Sequence, residues 1–396
     1  MRHRKTRQIL VGDIPVGGGA PVSVQSMTSG YTHEIESCVA EINKLASAGA
    51  DIVRVAVPEK KDTEALPEIL SQVSVPIVAD VHFHFKRAIE AIEAGVHKIR
   101  LNPGNIGDLD EVNIVIDACK DAGIPIRIGV NEGSIVERKD KQKRQEELAS
   151  FFSDRKQGQL LAMMIAKLEE YIEIFDARDF HDICLSAKLM DARLVIDIYE
   201  EISSRFDYPL HLGVTHAGPR ETGTIRSISA LGSLLSHGIG DTIRISYASD
   251  SVHEVEDGVE LLNCLGLRNR IGPELIACPS CGRIQVDLFS LVNDVRNQLK
   301  DDIDVPIKVA VMGCVVNGPG EAEGADVAVF AGDRRGIIYV QGERVANVSE
   351  DEILDRLLLE CKILQEKVRA GETKLGDKTV SISPPTSDVT VEGQHQ

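Results

Sequence analysis

Tryptophan is absent from the 396 residues and aromatic side chains make up only 4%, which leaves little surface for stacking nucleobases. Positive charge is also in deficit: 62 acidic residues stand against 44 basic ones, a formal charge of −18 that argues against nucleic acid as a partner. No apolar run approaches the roughly 18 residues a membrane-spanning helix needs, so no membrane partner is expected. The amino terminus, M-R-H-R-K-T-R-Q-I-L, is basic but lacks the apolar stretch of a secretory signal. These absences point to a cytoplasmic, thiol-reducing location, where the eight cysteines are expected to be metal ligands or core residues rather than disulfides. Histidine, finally, does not occur between His253 and His395.

That gap surrounds the most distinctive cysteines. Cys278 and Cys281 lie in C-P-S-C, and Cys314 in M-G-C-V-V-N-G-P-G-E, which ends on Glu321. Two readings compete. A structural zinc ion wants a closed tetrahedral shell of Cys and His, and no histidine is at hand. The other nearby thiol, Cys361, follows the helical spacing of Ile353, Leu357 and Leu364, which makes it an apolar core residue. An iron-sulfur cube held by three thiolates and a carboxylate, Glu321, would leave one iron with an exchangeable ligand. The turn Asn317 to Gly320 could turn backbone N–H groups toward cluster sulfurs.

Hydrophobic content of 43% and charged content of 27% are ordinary for a globular protein, and 396 residues suggest two domains. Short branched runs alternate with helix-length segments: 21–27, 51–57, 76–81, 97–102, 125–131, 180–186, 209–215 and 241–246. Eight such repeats are the count of an α/β (β/α)8 TIM-type barrel, expected over residues 1–270. An open doubly wound sheet is the alternative, but no G-x-G-x-x-G follows the first run. The charged stretch 137–148 reads as a solvated helix face or as a lid over the barrel mouth. A Gly- and Pro-bearing connector then leads into a small α+β domain, 271–370, and a polar tail, 371–396, expected to be disordered.

Four of the runs carry an arginine between branched apolar residues: Arg54, Arg100, Arg127 and Arg244. The apolar neighbours face the helices, so the arginines face the barrel interior, where their burial calls for anions. Pairing with Asp80 is one answer. The other is a phosphorylated substrate, held with the help of Lys188, Asn102, Asn131 and Ser246 at the strand ends where barrel active sites collect. Of His82 and His84, one shares a face with Asp80, and a histidine there is either a catalyst or a packed or capping residue. His211 is expected to face a helix or the rim.

Taken with V-Q-S-M-T (24–28), L-N-P-G-N-I-G (101–107), R-I-G-V-N-E-G-S (127–134), G-I-G-D-T-I-R-I-S (238–246), A-C-P-S-C-G-R (277–283) and G-C-V-V-N-G-P-G-E (313–321), the chain resembles the bacterial two-domain 4-hydroxy-3-methylbut-2-enyl diphosphate synthases. The resemblance implies reductive ring opening of 2-C-methyl-D-erythritol 2,4-cyclodiphosphate in non-mevalonate isoprenoid synthesis. It implies a 4Fe-4S cluster on Cys278, Cys281, Cys314 and Glu321, ferredoxin or flavodoxin as electron donor, and a head-to-tail homodimer. It further implies that Arg54, Arg100, Asn102, Arg127, Asn131, Lys188, Arg244 and Ser246 hold the diphosphate, with Asp80, His82, His216 and Glu321 as catalytic candidates. Three stretches depart from the family pattern: L-G-V-T-H-A-G puts His216 where a glutamate is usual, Q-S-M-T-S-G-Y-T replaces Q-S-M-T-N-T-D-T, and L-S-A-K-L-M-D replaces S-V-K-A-S-D while keeping Lys188. The alternative is a divergent paralogue that binds a phosphorylated ligand or senses iron without turnover.

Overall fold

A computed structural model of the chain describes residues 4–81, 84–102, 108–132, 154–314, 318–332 and 334–376. It divides the chain into two units, Met1–Arg268 and Asn269–Gln396.

The first unit opens with an antiparallel hairpin, β1 (Gln8–Val11) and β2 (Ile14–Gly17), turning at Gly12 and Asp13. Eight parallel strands follow: β3 (Ser23–Met27), β4 (Ile52–Ala56), β5 (Ile77–Asp80), β6 (Lys98–Leu101), β7 (Ile126–Asn131), β8 (Ile183–Lys188), β9 (His211–Leu212) and β10 (Thr242–Ile243). Their order, β8-β7-β6-β5-β4-β3-β10-β9, leaves one seam, and the bridge between Leu185 and Leu210 closes it into a TIM barrel. Tyr199, on helix Ala192–Arg205, reinforces that seam: its hydroxyl accepts from the Ala187 amide at 3.0 Å and donates to the His211 carbonyl at 2.5 Å.

Branched residues on the outer faces of the strands pack against the helix ring and form one continuous core. Aspartates set several helix starts. Asp108, Asp191 and Asp250 accept from the first free amides of helices Leu109–Ala122, Ala192–Arg205 and Ser251–Cys264. Inside, the amino-terminal half of the barrel is plugged by apolar packing: Ile9, Val11 and Val16 of the hairpin meet Ile52, Val78 and Cys184. Above that plug the interior turns polar.

The last two barrel strands are shorter than the apolar runs suggested. Their ladder stops at Leu212 and Ile243, where the residues that line the interior cavity begin, and Ser246 Oγ bonds the Val214 carbonyl at 3.2 Å in its place.

The second unit holds a five-stranded mixed sheet in the order β11 (Glu274–Ala277), β12 (Lys308–Met312), β13 (Val327–Gly332), β14 (Arg335–Val340) and β15 (Glu343–Ser349). The first three are parallel and the last two antiparallel. Helices Leu288–Asp302 and Ile353–Arg369 bury one face. Cys361 is fully buried in that layer, its thiol pushed up to about 12 by desolvation. Beyond the last helix the chain folds back: Gly376 donates to Asp326 Oδ1 at 2.9 Å, and Gln341 to Thr373 Oγ1 at 2.9 Å. The tail from 371 is therefore built into the unit as far as Gly376, and 377–396 lie outside the described residues.

Candidate active site

Alternation along the strands sends Arg54, Asp80, Arg100, Arg127, Asn131, Ser186, Lys188, Arg244 and Ser246 into one cavity of about 170 Å³ at the carboxyl ends of the strands. Parallel register sets Asp80 beside Arg100 and Arg100 beside Arg127. The volume is below the roughly 300–1,000 Å³ of pockets for drug-sized molecules, and it suits a compact ionic group.

One carboxylate, Asp80, lines the space with five cations, and a second, Glu254, stands beside Arg244. Asp80 lies 3.2 Å from Arg100 and 3.6 Å from Arg54. Glu254, from helix Ser251–Cys264, lies 3.6 Å from Arg244, too far for a hydrogen bond, and accepts from the Tyr247 amide at 2.9 Å. Arg54 also points Nε and Nη2 at the Met27 sulfur, at 3.1 and 2.8 Å. Donors remain over: Nε of Arg100, Nε and Nη1 of Arg127, and Nε of Arg244 are buried without a hydrogen-bond partner. Desolvation drives the Arg54 and Lys188 cations well below their ordinary pKa range, and mutual repulsion adds to it. Pairing with Asp80 thus accounts for part of the charge only, and the remainder is poised for an anion.

Not every expected residue joins this group. Asn102 is buried behind it and accepts from the Tyr171 hydroxyl at 3.3 Å. His216 is exposed on the loop after β9, with a left-handed φ of 54°, and is not among the cavity lining. His82 and the charged stretch 137–148 lie outside the described residues.

In the second unit, Cys278 follows β11 and Cys314 follows β12, so adjacent parallel strands deliver both thiols to the same sheet end. Cys281 is exposed, Cys278 half-buried and Cys314 buried. The Gly313 amide donates to Cys278 Sγ at 3.2 Å. This bond needs a glycine, because a Cβ there would stand 2.7 Å from Ile284 Cγ2. An amide aimed at sulfur is the hydrogen bond that a metal- or cluster-bound cysteine accepts. The expectation of N–H groups turned toward cluster sulfurs by the turn at 317–320 falls partly on residues 315–317, which lie outside the described residues. Glu321 ends the short helix Gly318–Glu321, and its side chain also lies outside them. No group of three metal-ligating side chains is assembled among the described residues. The donor set itself, two thiols at one sheet end, a third three residues on from Cys278 and no histidine between 253 and 395, suits an iron-sulfur cluster.

A family model described as the GcpE TIM-barrel domain matches residues 6–259, and one described as the GcpE protein C-terminal domain matches residues 274–363. The chain belongs to the GcpE family. Relatives named 4-hydroxy-3-methylbut-2-en-1-yl diphosphate synthase (flavodoxin) agree in both halves. The Symbiobacterium thermophilum protein is 46% identical over 90% of this chain and 93% of its own, and the Bacillus licheniformis protein is 45% identical over 95% and 98%. The Bacillus subtilis protein is 44% identical over 95% and 97%.

Sequence reasoning missed three members of this GcpE barrel interior. Lys98 is fully buried, bonded to Gln25 Oε1 at 3.3 Å, its pKa lowered to about 8 by desolvation. His211 is also fully buried; it faces Arg127, Lys188 and Lys98 rather than a helix or the rim, and desolvation keeps it neutral. Its register with Thr242, next to Ser23, was the available signal, because partners in a parallel sheet share a face. Glu254 had none in sequence, since it approaches Arg244 from a helix.

Proposed function

We propose that this protein is a 4-hydroxy-3-methylbut-2-enyl diphosphate synthase that opens 2-C-methyl-D-erythritol 2,4-cyclodiphosphate reductively and releases water. The observation that carries this is the cavity of fixed positive charge, in a chain that also sets cysteines at one strand edge. Five cavity cations, offset by Asp80 among them and Glu254 beside Arg244, leave three positive charges if all are ionised. A cyclic diphosphate brings two negative charges, and the ring-opened diphosphate, with one more ionised oxygen, brings three. The cavity therefore favours the opened form, and that difference lowers the barrier to cleaving the carbon–oxygen bond at phosphate.

Within this reading Arg54, Arg100, Arg127, Lys188 and Arg244 grip the diphosphate, while Asn131 and Ser246 supply neutral donors. Asp80 orients Arg54 and Arg100 through its ion pairs. Asn102 supports the strand end from behind, and His216, at the exposed loop, would meet the substrate only at the mouth. Cys278, Cys281, Cys314 and Glu321 would hold a 4Fe-4S cluster. When bound, such a cluster would relay the donor's two electrons one at a time and offer an iron with an exchangeable ligand.

A flavodoxin, or a ferredoxin, would be the donor, in keeping with the names of the relatives. All eight cysteines are free thiols, which supports a cytoplasmic setting. No described helix is long and apolar enough to cross a membrane. A head-to-tail homodimer, in which one chain's cluster domain serves the partner's barrel, completes the proposal.

The test is anaerobic turnover of the cyclodiphosphate with a reduced donor. Formation of the allylic alcohol diphosphate is expected; an intact cluster without product would favour the paralogue that binds but does not turn over. Glu321→Gln should keep most of the iron while altering the spectrum of the unique site, and Cys314→Ser should lose the cluster. Normal turnover by both variants would refute this ligand set.

A further inference from the structure

Among the described residues, no carboxylate pairs with the Lys188 ammonium, although four guanidinium groups repel it. The side chain is nonetheless 8% exposed and reaches into the cavity. What occupies its other side is Gly213, just past β9 across the seam from β8. A Cβ built on Gly213 would lie 2.7 Å from Lys188 Nζ and 3.0 Å from Cε, and 2.9 Å from the Arg244 carbonyl oxygen. The φ of Gly213 is not left-handed, so the backbone does not require glycine. What glycine supplies here is space.

We propose that Gly213 is the positioning residue for Lys188: the missing side chain leaves a slot in which the ammonium is seated over the anion cavity. The inference rests on the reading of that cavity as a diphosphate site. The slot takes a slim ammonium on a flexible stem, and repulsion from Arg54, Arg100, Arg127 and Arg244 presses the head against the glycine instead of letting it lean inward. Tyr199 keeps the geometry, since its hydroxyl ties Ala187, the neighbour of Lys188, to His211, two residues before Gly213. An alanine at 213 would push the head out of its seat, because the end of a lysine moves more easily than the walls of a barrel.

The experiment is a double-mutant cycle on the full-length protein, with inorganic diphosphate as the probe and calorimetry as the readout. Gly213→Ala should weaken binding roughly 30-fold when Lys188 is present. In a Lys188→Met background the same change should alter binding by about twofold or less. Equal losses in both backgrounds would overturn the proposal, because a general distortion, such as one from the Arg244 carbonyl, does not depend on Lys188. Melting curves of each variant report whether the barrel is folded. Should Gly213→Ala fail to fold, Lys188→Arg provides the second arm: the planar head does not fit the slot, so binding should fall as far as in Lys188→Met despite the retained charge. Wild-type affinity in Lys188→Arg would also overturn the proposal. A wild-type protein that does not bind diphosphate at all sinks the reading of the cavity and this proposal with it, whereas binding without coupling sinks the positioning role alone.

Discussion

Arg127 shows how function is set against stability at a single residue. It is 2% exposed, its Nε and Nη1 find no partner, and Arg100 repels it. Arg127→Met should therefore raise the melting temperature of the ligand-free protein by removing a buried, underpaired charge, and should at the same time abolish stabilisation by diphosphate. Thermal unfolding with and without diphosphate checks both; a destabilised variant would mean that the arginine is structural. Lys98 makes a pH prediction. Its folded pKa of about 8 lies below its ordinary value of 10.5, so the unfolded chain binds the extra proton between those values. Stability from this group is lowest below pH 8 and rises as pH climbs toward 10.5, by up to about 3 kcal/mol. Urea titrations of wild type and Lys98→Met across that window should diverge, with the variant losing this rise. The arginines were legible in sequence because a charged residue between branched apolar ones has a definite face, and Lys188 was legible from its place at a strand end. Lys98 has the same pattern in H-K-I-R-L but sits deeper, and depth in a barrel is not written in local spacing.

Elements were readable where their periodicity was strong and uncertain where it was weak. Seven of the eight barrel strands lie within the apolar runs and β8 extends two residues past its own, yet β9 and β10 span two residues each, because beyond Leu212 and Ile243 the chain lines the cavity. Hairpin β1–β2 escaped notice since Q-I-L-V and I-P-V-G are short and follow a basic segment, although V-G-D-I carries a two-residue turn. Strand β15 also escaped: it is an exposed edge whose residues E-R-V-A-N-V-S pack little. The seam is the element-scale weak point. Tyr199→Phe would leave the Ala187 amide and the His211 carbonyl without the hydroxyl that joins them and should cost about 1–3 kcal/mol. Chemical denaturation measures it; an unchanged midpoint would show that the seam does not depend on this tyrosine.

At the scale of the whole molecule, a chain of charge −18 concentrates five cations in one small cavity, so selectivity for an anion is local and does not draw on the overall field. If each active site joins one chain's barrel to the partner's cluster domain, mixed dimers should complement. Arg127→Met and Cys314→Ser chains, each inactive alone, should regain about a quarter of wild-type turnover when coexpressed, because half the dimers are mixed and each has one intact pair. Mixtures that stay inactive would place both halves of the site on one chain. The sequence by itself determined the kind of fold, the inward-facing arginines and the cysteine motifs, because strand alternation and ligand spacing are properties of neighbouring residues. Only tertiary structure decided which of these groups share a cavity, that Glu254 stands beside Arg244 from a helix, that His211 lies inside, and that Gly213 makes room for Lys188. Those relations join residues far apart in the chain, and closure of the barrel, not local preference, brings them within a few ångströms.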